Sequence, residues 1–249
     1  MQALVLAGQP NRGALKAIAD CHWEAEIPLA GRPMLEYILD ALEAAREVDR
    51  VVVVGPAGQR PGVRYVPSQD SLWANVEAGL THLFDPHQRC LVVTADIPLV
   101  TGAMIDEFIR LAPEAADFVY PVVPKEVAEV RFPGTRRTYV RFQEGTFTGG
   151  NLFLLRPQPV LAIAERAKTL LSHRKSPVKL AQDIGWGVLW RLLTGRLGLA
   201  ELEATVNRIL GIHGRVVRFD CPEIGVDVDK PEDFRLIERA VGKGVGAGG

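Results

Sequence analysis

Side chains able to handle a polyphosphate and a divalent cation stand at the ends of apolar runs in this 249-residue chain. The first is "LVLAGQPNRGALK", where the run Ala3–Ala7 meets Gly8 and a polar loop carrying Arg12 and Lys16. A strand that turns at glycine into such a loop can offer backbone N–H groups and a cation to phosphate. Pro10 interrupts that pattern, because proline has no N–H to donate. The second is "CLVVTADIPLV", in which Asp96 follows a strand-like run and precedes Ile97-Pro98, leaving a carboxylate at a strand mouth. The third is "GVDVDKPEDF", with Asp227 and Asp229. Ligands of open α/β sheets sit outside the carboxyl ends of the strands. Two aspartates from separate strand ends suffice for Mg2+, which keeps substrate phosphates and water among its ligands. Each residue also has a plainer reading. Asp96 can be a turn former before Pro98, and Asp229 can cap the helix that starts in "KPEDF". Asp227 lies one strand position deeper, where a cap explains it less well.

Composition narrows the classes of function. Lys plus Arg (29) nearly balances Asp plus Glu (30), so no global field points to nucleic acid or to an anionic membrane. The three cysteines, Cys21, Cys90 and Cys221, have no CxxC spacing and suit a reduced cytoplasmic protein. No basic segment followed by a long apolar stretch opens the chain, and no run reaches the length of a membrane span. The five histidines are scattered without metal spacing.

The elements that must position these side chains read as an α/β fold. "ALVLA", "RVVVVG", "GVRYVP", "CLVVT" and "DFVYPVV" are buried-strand runs. "PMLEYILDALEAA", "DSLWANVEAGLTHLF" and "GAMIDEFIRLA" have helical spacing between them. The alternation predicts a three-layer, Rossmann-like domain with a mostly parallel sheet. From "VRFPGTRRTYVRFQEGTFTGGNLFLLRP" onward, Thr, Tyr, Val and Phe broken by turn signals predict antiparallel strands or hairpins on one edge. Residues from about 159 to 212 form a helical insert, "RVVRFDC" and "GVDVD" return to strand, and "KPEDFRLIERAVG" closes with a helix. One domain is expected over 1–240, with a flexible glycine-rich tail at 241–249. Arg131, Arg136, Arg137 and Arg141 fall in the predicted hairpins, either as a charged strand edge that blocks aggregation or as a site for an anionic acceptor. His173, Arg174, Lys175 and Lys179 likewise read as solvated surface or as an anion site before a helix. Trp186 and Trp190 with nearby leucines suggest the packed core of a helical insert, with a lid or homodimer surface as the alternative.

In order, "LVLAG…NR", "IPLAGRPMLEYILDAL", "VTADIPLV", "GGNLFLL" and "VDVDKPEDF" resemble the nucleotidyltransferases that include the molybdenum-cofactor guanylyltransferases. "SQDSLWANVEAGL" is similar to the nucleotide-contacting segment of the methylerythritol-phosphate cytidylyltransferases. The resemblance covers most of 1–156 and 216–238. It implies transfer of a nucleoside monophosphate from NTP to a small phosphorylated or hydroxyl-bearing acceptor, with Mg2+ and release of pyrophosphate. It also implies a triphosphate loop over Leu6, Ala7, Gly8, Gln9, Asn11 and Arg12. Asp96 and Asp227 fall on metal-ligand positions, with Asp229 beside them. Ser71 and Asn75 fall in the nucleotide segment, and Gly149, Gly150 and Asn151 in the acceptor-side strand, with Arg137 added from the arginine cluster.

Two departures stand out. Pro10 replaces a second loop glycine, and "HWEAEIPLAGRP" offers Glu24 and Glu26 where relatives carry a lysine. Arg12 or Lys16 can take over the missing positive charge. A nucleotide- or nucleotide-sugar-binding protein without transfer is the reading these departures favour. A glycosyltransferase that uses "DVD" for metal is a third, but it leaves the first loop and "AGRPML" unexplained.

Overall fold

The computed structural model describes residues 1–173 and 176–245. The chain begins β1 (Gln2–Leu6), a small hairpin of β2 (Pro28–Leu29) and β3 (Arg32–Pro33), α1 (Met34–Ala44), β4 (Arg50–Gly55), β5 (Val63–Pro67) and α2 (Leu72–Thr81). It continues β6 (Cys90–Thr94), α3 (Gly102–Leu111), β7 (Phe118–Pro124), α4 (Lys125–Arg131), β8 (Val140–Phe142), β9 (Gly145–Gly149) and β10 (Leu152–Leu155). Helices α5 (Pro157–Ala162), α6 (Ala164–His173), α7 (Pro177–Ile184), α8 (Trp186–Leu193) and α9 (Leu199–Leu210) follow. The chain ends with β11 (Gly214–Arg218) and α10 (Pro231–Val245).

Continuous apolar runs make the centre of the sheet. Every residue of β1 is buried, and β1 pairs in parallel with β4 on one side and β6 on the other. Strands covered by helices on both faces need such runs. The nine-stranded sheet orders β5-β4-β1-β6-β10-β7-β9-β8, with β11 on β7. One apolar layer packs Ile38, Leu39, Leu42, Ile105 and Phe108 of α1 and α3 on the sheet, and the other packs Val76 and Leu80 of α2. The expected mostly parallel α/β sheet is therefore present.

The antiparallel part is more specific than its sequence suggests. β10 enters the sheet between β6 and β7, antiparallel to both, while β9 turns away to form the terminal hairpin with β8. The register along β7 changes at Gly150-Asn151, as Val122 faces Gly149 but Val119 faces Leu154. A strand can break there because a Cβ at Gly149 would lie 2.0 Å from the Tyr120 hydroxyl, and one at Gly150 2.5 Å from Ile224.

Three local expectations are corrected. "VRF" at 130–132 is not a strand; Val130 and Arg131 end α4, a helix supported by Lys125 and Glu129 at 3.5 Å one turn apart. "GVDVD" pairs with no strand: Pro222–Gly225 is a 3-10 turn, and 226–229 carries no ladder. The last helix runs to Val245, past the boundary expected at 240, and 246–249 lie outside the described residues.

The helical segment leaves the sheet at β10 and returns at β11, on opposite edges of β7. Both of its ends bind one residue. Asp117 O accepts from Arg156 N at 2.8 Å, and Asp117 N donates to His213 O at 2.8 Å. Its Oδ2 also accepts from His213 N at 2.9 Å. Of the basic stretch before α7, Arg174 and Lys175 lie outside the described residues.

Candidate active site

The ends of β1 and β6 and the segment before α10 meet at one mouth of the sheet. Ala95 N donates to Leu6 O at 3.1 Å, bringing the turn after β6 against the turn after β1. Val228 N donates to Asp96 O at 2.9 Å, docking the third segment on the second. Val226 and Val228 are buried in a small core with Leu15, Ile27, Met34 and Phe234. With the valines inside, the alternate residues Asp227 and Asp229 are left on the side of Asp96. One oxygen from each of Asp96, Asp227 and Asp229 lies within 4.8 Å of the others.

This donor set tests well for Mg2+: it is all carboxylate oxygen, with no nitrogen or sulfur, as a hard cation prefers. Crowding three acids raises their proton affinity. Burial pushes the Asp96 carboxyl up to about 7, and the charges of Asp227 and Asp229 add to it. Thr94 opposes the shift by donating its hydroxyl to Asp96 Oδ1. Burial and the Asp227 charge also raise Asp229. A divalent cation would reverse this by favouring the ionised forms.

Arg137, expected at the acceptor side, lies against the aspartates as their counter-charge. Its side chain is 8% exposed, and its guanidinium donates to Asp227 Oδ1 and to Asp227 O at 3.2 Å and stands 3.7 Å from Asp233. Ninety residues separate Arg137 from Asp227. Glu24 is the residue whose position the sequence understated. It shares a small cavity with Ala7, Gln9 and Asp96, and burial followed by the Asp229 charge raises its carboxyl. Glu26 turns elsewhere and accepts from Trp23 N at 3.1 Å.

The first loop is braced rather than open along its whole length. Glu24 N donates to Gln9 O at 3.0 Å and Asn11 N to His22 O at 2.8 Å, so Pro10 forms a bridge with Trp23. A proline suits this place, since its missing donor would face neither bond. Asn11 is buried and donates its amide to Ala19 O at 2.8 Å, which braces the loop, while its Oδ1 has no partner among the described residues. Leu6 and Ala7 are buried, so they present backbone only. The amides of Gly8 and Gln9 bond to no described group. Arg12 and Lys16 are exposed, Lys16 within a 3-10 turn anchored by buried Leu15, and neither is ion-paired with a described residue.

Asn75 holds the neighbouring turn. Its Oδ1 accepts from Gln69 N at 2.6 Å and from Ser68 Oγ at 3.2 Å, while Ser68 Oγ also donates to Gly8 O at 3.1 Å. Ser71 caps α2, its Oγ accepting from Ala74 N at 3.2 Å. The acceptor-side motif reaches the same mouth through its backbone. Asn151 O accepts from Thr94 N at 3.1 Å, two residues from Asp96, and Asn151 N donates to Ile224 O at 2.8 Å. Gly149 and Gly150 allow that close packing, as described above.

Comparison with known proteins bears on the family and the fold. A hypothetical transferase from Thermus thermophilus is 43% identical, with a TM-score of 0.83 over 94% of this chain and 98% of that one. The 4-diphosphocytidyl-2C-methyl-D-erythritol synthase of Anaerococcus prevotii shares the fold, with a TM-score of 0.58 at 13% identity, over 97% of this chain and 95% of that one. The bifunctional protein GlmU of Burkholderia thailandensis is 34% identical over 105 residues, 39% of this chain but only 22% of that protein. The profile of the MobA-like NTP transferase domain matches residues 4–184. With a family match over most of its length and an aspartate cluster at the strand mouth, the chain belongs to the MobA-like NTP transferases and is a nucleotidyltransferase.

Proposed function

We propose that the protein transfers a nucleoside monophosphate from an NTP to a small phosphorylated or hydroxyl-bearing acceptor and releases pyrophosphate. The observation that carries this reading is the convergence of Asp96, Asp227 and Asp229 beside the Gly8 loop. The free amides of Gly8 and Gln9, with Arg12 and Lys16, bind the triphosphate, and Ser71 and Asn75 shape the nucleotide side of the cleft. Asp96, Asp227 and Asp229 would hold Mg2+, which when bound would supply charge neutralisation at the α-phosphate. An acceptor oxygen forms the new bond to the α-phosphorus while the bond to the β-phosphate oxygen breaks. Pyrophosphate leaves with that electron pair, and a hydroxyl acceptor gives up its proton to solvent. No protein nucleophile is required. Gly149, Gly150 and Asn151 line the acceptor side through their backbone.

We take the enzyme to be cytoplasmic, with small-molecule rather than nucleic-acid or membrane partners. Its unpaired cysteines and balanced charge support this. Among the described residues, no helix is long and apolar enough to cross a membrane. A homodimer is supported by one stripe of α8, where Trp186, Trp190 and Leu193 are 65%, 65% and 70% exposed.

The test is a pyrophosphate-release screen of four NTPs, with and without Mg2+, over a panel of acceptors. Turnover should require Mg2+ and fall in Arg12→Ala and Lys16→Ala. NTP binding without release under any acceptor mixture would overturn the transfer reading.

A further inference from the structure

A cleft of about 470 Å3 opens between the turn Pro133–Arg136 and one face of α10. Arg136, Lys230, Arg235 and Arg239 line it, and none is ion-paired with a described residue. Most other arginines near acids are paired, as are Arg60, Arg131, Arg191 and Arg218. Arg235 and Arg239 are one helical turn apart, so their like charges repel along α10. Of the two acids in the lining, Asp233 already faces Arg137 at 3.7 Å, and Glu232 is the other. Four basic side chains against two acids leave the lining with a positive excess.

Arg137 stands between this cleft and the metal-ligand aspartates. Its side chain is nearly buried and its Nε has no partner among the described residues; both terminal nitrogens donate to Asp227, and one of them also stands 3.7 Å from Asp233. One guanidinium thus separates the wall of the cleft from a metal-ligand carboxylate.

We propose that the cleft binds the phosphate group of a small phosphorylated molecule, and that Arg137 couples this binding to the metal at Asp227. The coupling rests on the metal reading given above; the phosphate subsite does not. A phosphate dianion presents oxygens that match guanidinium forks. Its negative charge draws Arg137 away from Asp227 and frees that carboxylate for a cation. A divalent cation on Asp227, in turn, repels the guanidinium toward Asp233 and the cleft. The two ligands therefore strengthen one another by the same factor.

The test is calorimetric titration of inorganic phosphate into the full chain, with and without Mg2+. Saturable binding is expected, weakened at least about tenfold in Arg235→Gln/Arg239→Gln and reduced in Arg136→Gln on the opposite wall. Saturating Mg2+ should tighten phosphate binding about fivefold, and phosphate should tighten Mg2+ binding equally. In the double variant, Mg2+ affinity should stay at the wild-type value while its enhancement by phosphate disappears. Circular dichroism confirms that the variants are folded. No saturable phosphate binding in the wild type, or unchanged binding in the double variant, overturns the subsite. Mg2+ affinity indifferent to phosphate overturns the coupling. Glucose 1-phosphate and glycerol 3-phosphate identify the source: affinity at least equal to inorganic phosphate supports a phosphorylated molecule, and their exclusion overturns that part. Absence of Mg–NTP binding alongside arginine-dependent phosphate binding would sink the transferase reading while leaving the cleft in place.

Discussion

At the scale of single residues, the Asp96 carboxyl contributes to the pH dependence of the metal-free protein. Its value is raised from 3.8 to about 7, first by burial. Between those values the folded state holds a proton that the unfolded state has lost, so this group's contribution to stability falls as pH rises from about 4 to 7. Asp96→Asn should therefore raise the thermal midpoint of the metal-free protein at pH 8, while abolishing stabilisation by Mg2+. A midpoint unchanged in the variant and still raised by Mg2+ would remove Asp96 from the site. Mg2+ affinity of the wild type, titrated calorimetrically, should weaken as pH drops below about 7. Glu24 tests the phosphate side. Its carboxylate shares a cavity with Asp96, so Glu24→Lys should tighten binding of a non-hydrolysable NTP by roughly tenfold; weaker binding would place the triphosphate elsewhere. Asp96 can be placed from sequence at the end of β6, because it directly follows a buried apolar run. "GVDVD" reads as a strand but forms no ladder; burial of Val226 and Val228 in a separate small core is what leaves Asp227 and Asp229 beside Asp96. The partner of Asp227 carries no sequence signal, since Arg137 reaches it across 90 residues and four arginines in that stretch look alike.

At the scale of elements, the turn after β1 depends on a close approach that only glycine permits. A Cβ at Gly8 would lie 2.2 Å from Ser68 Oγ and 2.9 Å from the Asn75 amide. Gly8→Ala should cost roughly 1–3 kcal/mol in urea unfolding and weaken NTP binding, because the Ser68–Asn75 brace must move. Stability within experimental error of the wild type would show the turn to be slack. The alternating strands and helices of the first 120 residues could be read directly, because each buried strand is a continuous apolar run between amphipathic helices. α4 was misread as strand because Val130 and Phe132 carry β propensity, whereas the Lys125–Glu129 pair and packing of Ala128 favour the helix. β10 was expected near an edge. Its position between β6 and β7 follows from long-range pairing, for which "NLFLL" carries no local signal.

At the scale of the whole molecule, ligand binding should register as stability. Mg–NTP at about 100 times its dissociation constant adds about 2.7 kcal/mol. For a chain of this size that raises the midpoint by roughly 5–11 °C, reversed by EDTA; no shift with any of four NTPs would contradict a nucleotide site. The exposed α8 stripe predicts a second copy at micromolar concentration by light scattering, lost in Trp186→Glu/Trp190→Glu, and a monomeric wild type would refute it. Arg156 and His213 both bind Asp117, so the helices between them form a closed excursion whose start and finish are held together. The excursion is also stitched to the terminal hairpin: Leu197 is buried with Phe142 and Phe147, and Leu199 N donates to Glu144 Oε1 at 2.9 Å. Movement of these helices therefore pulls on β8 and β9, and through β9 on β7.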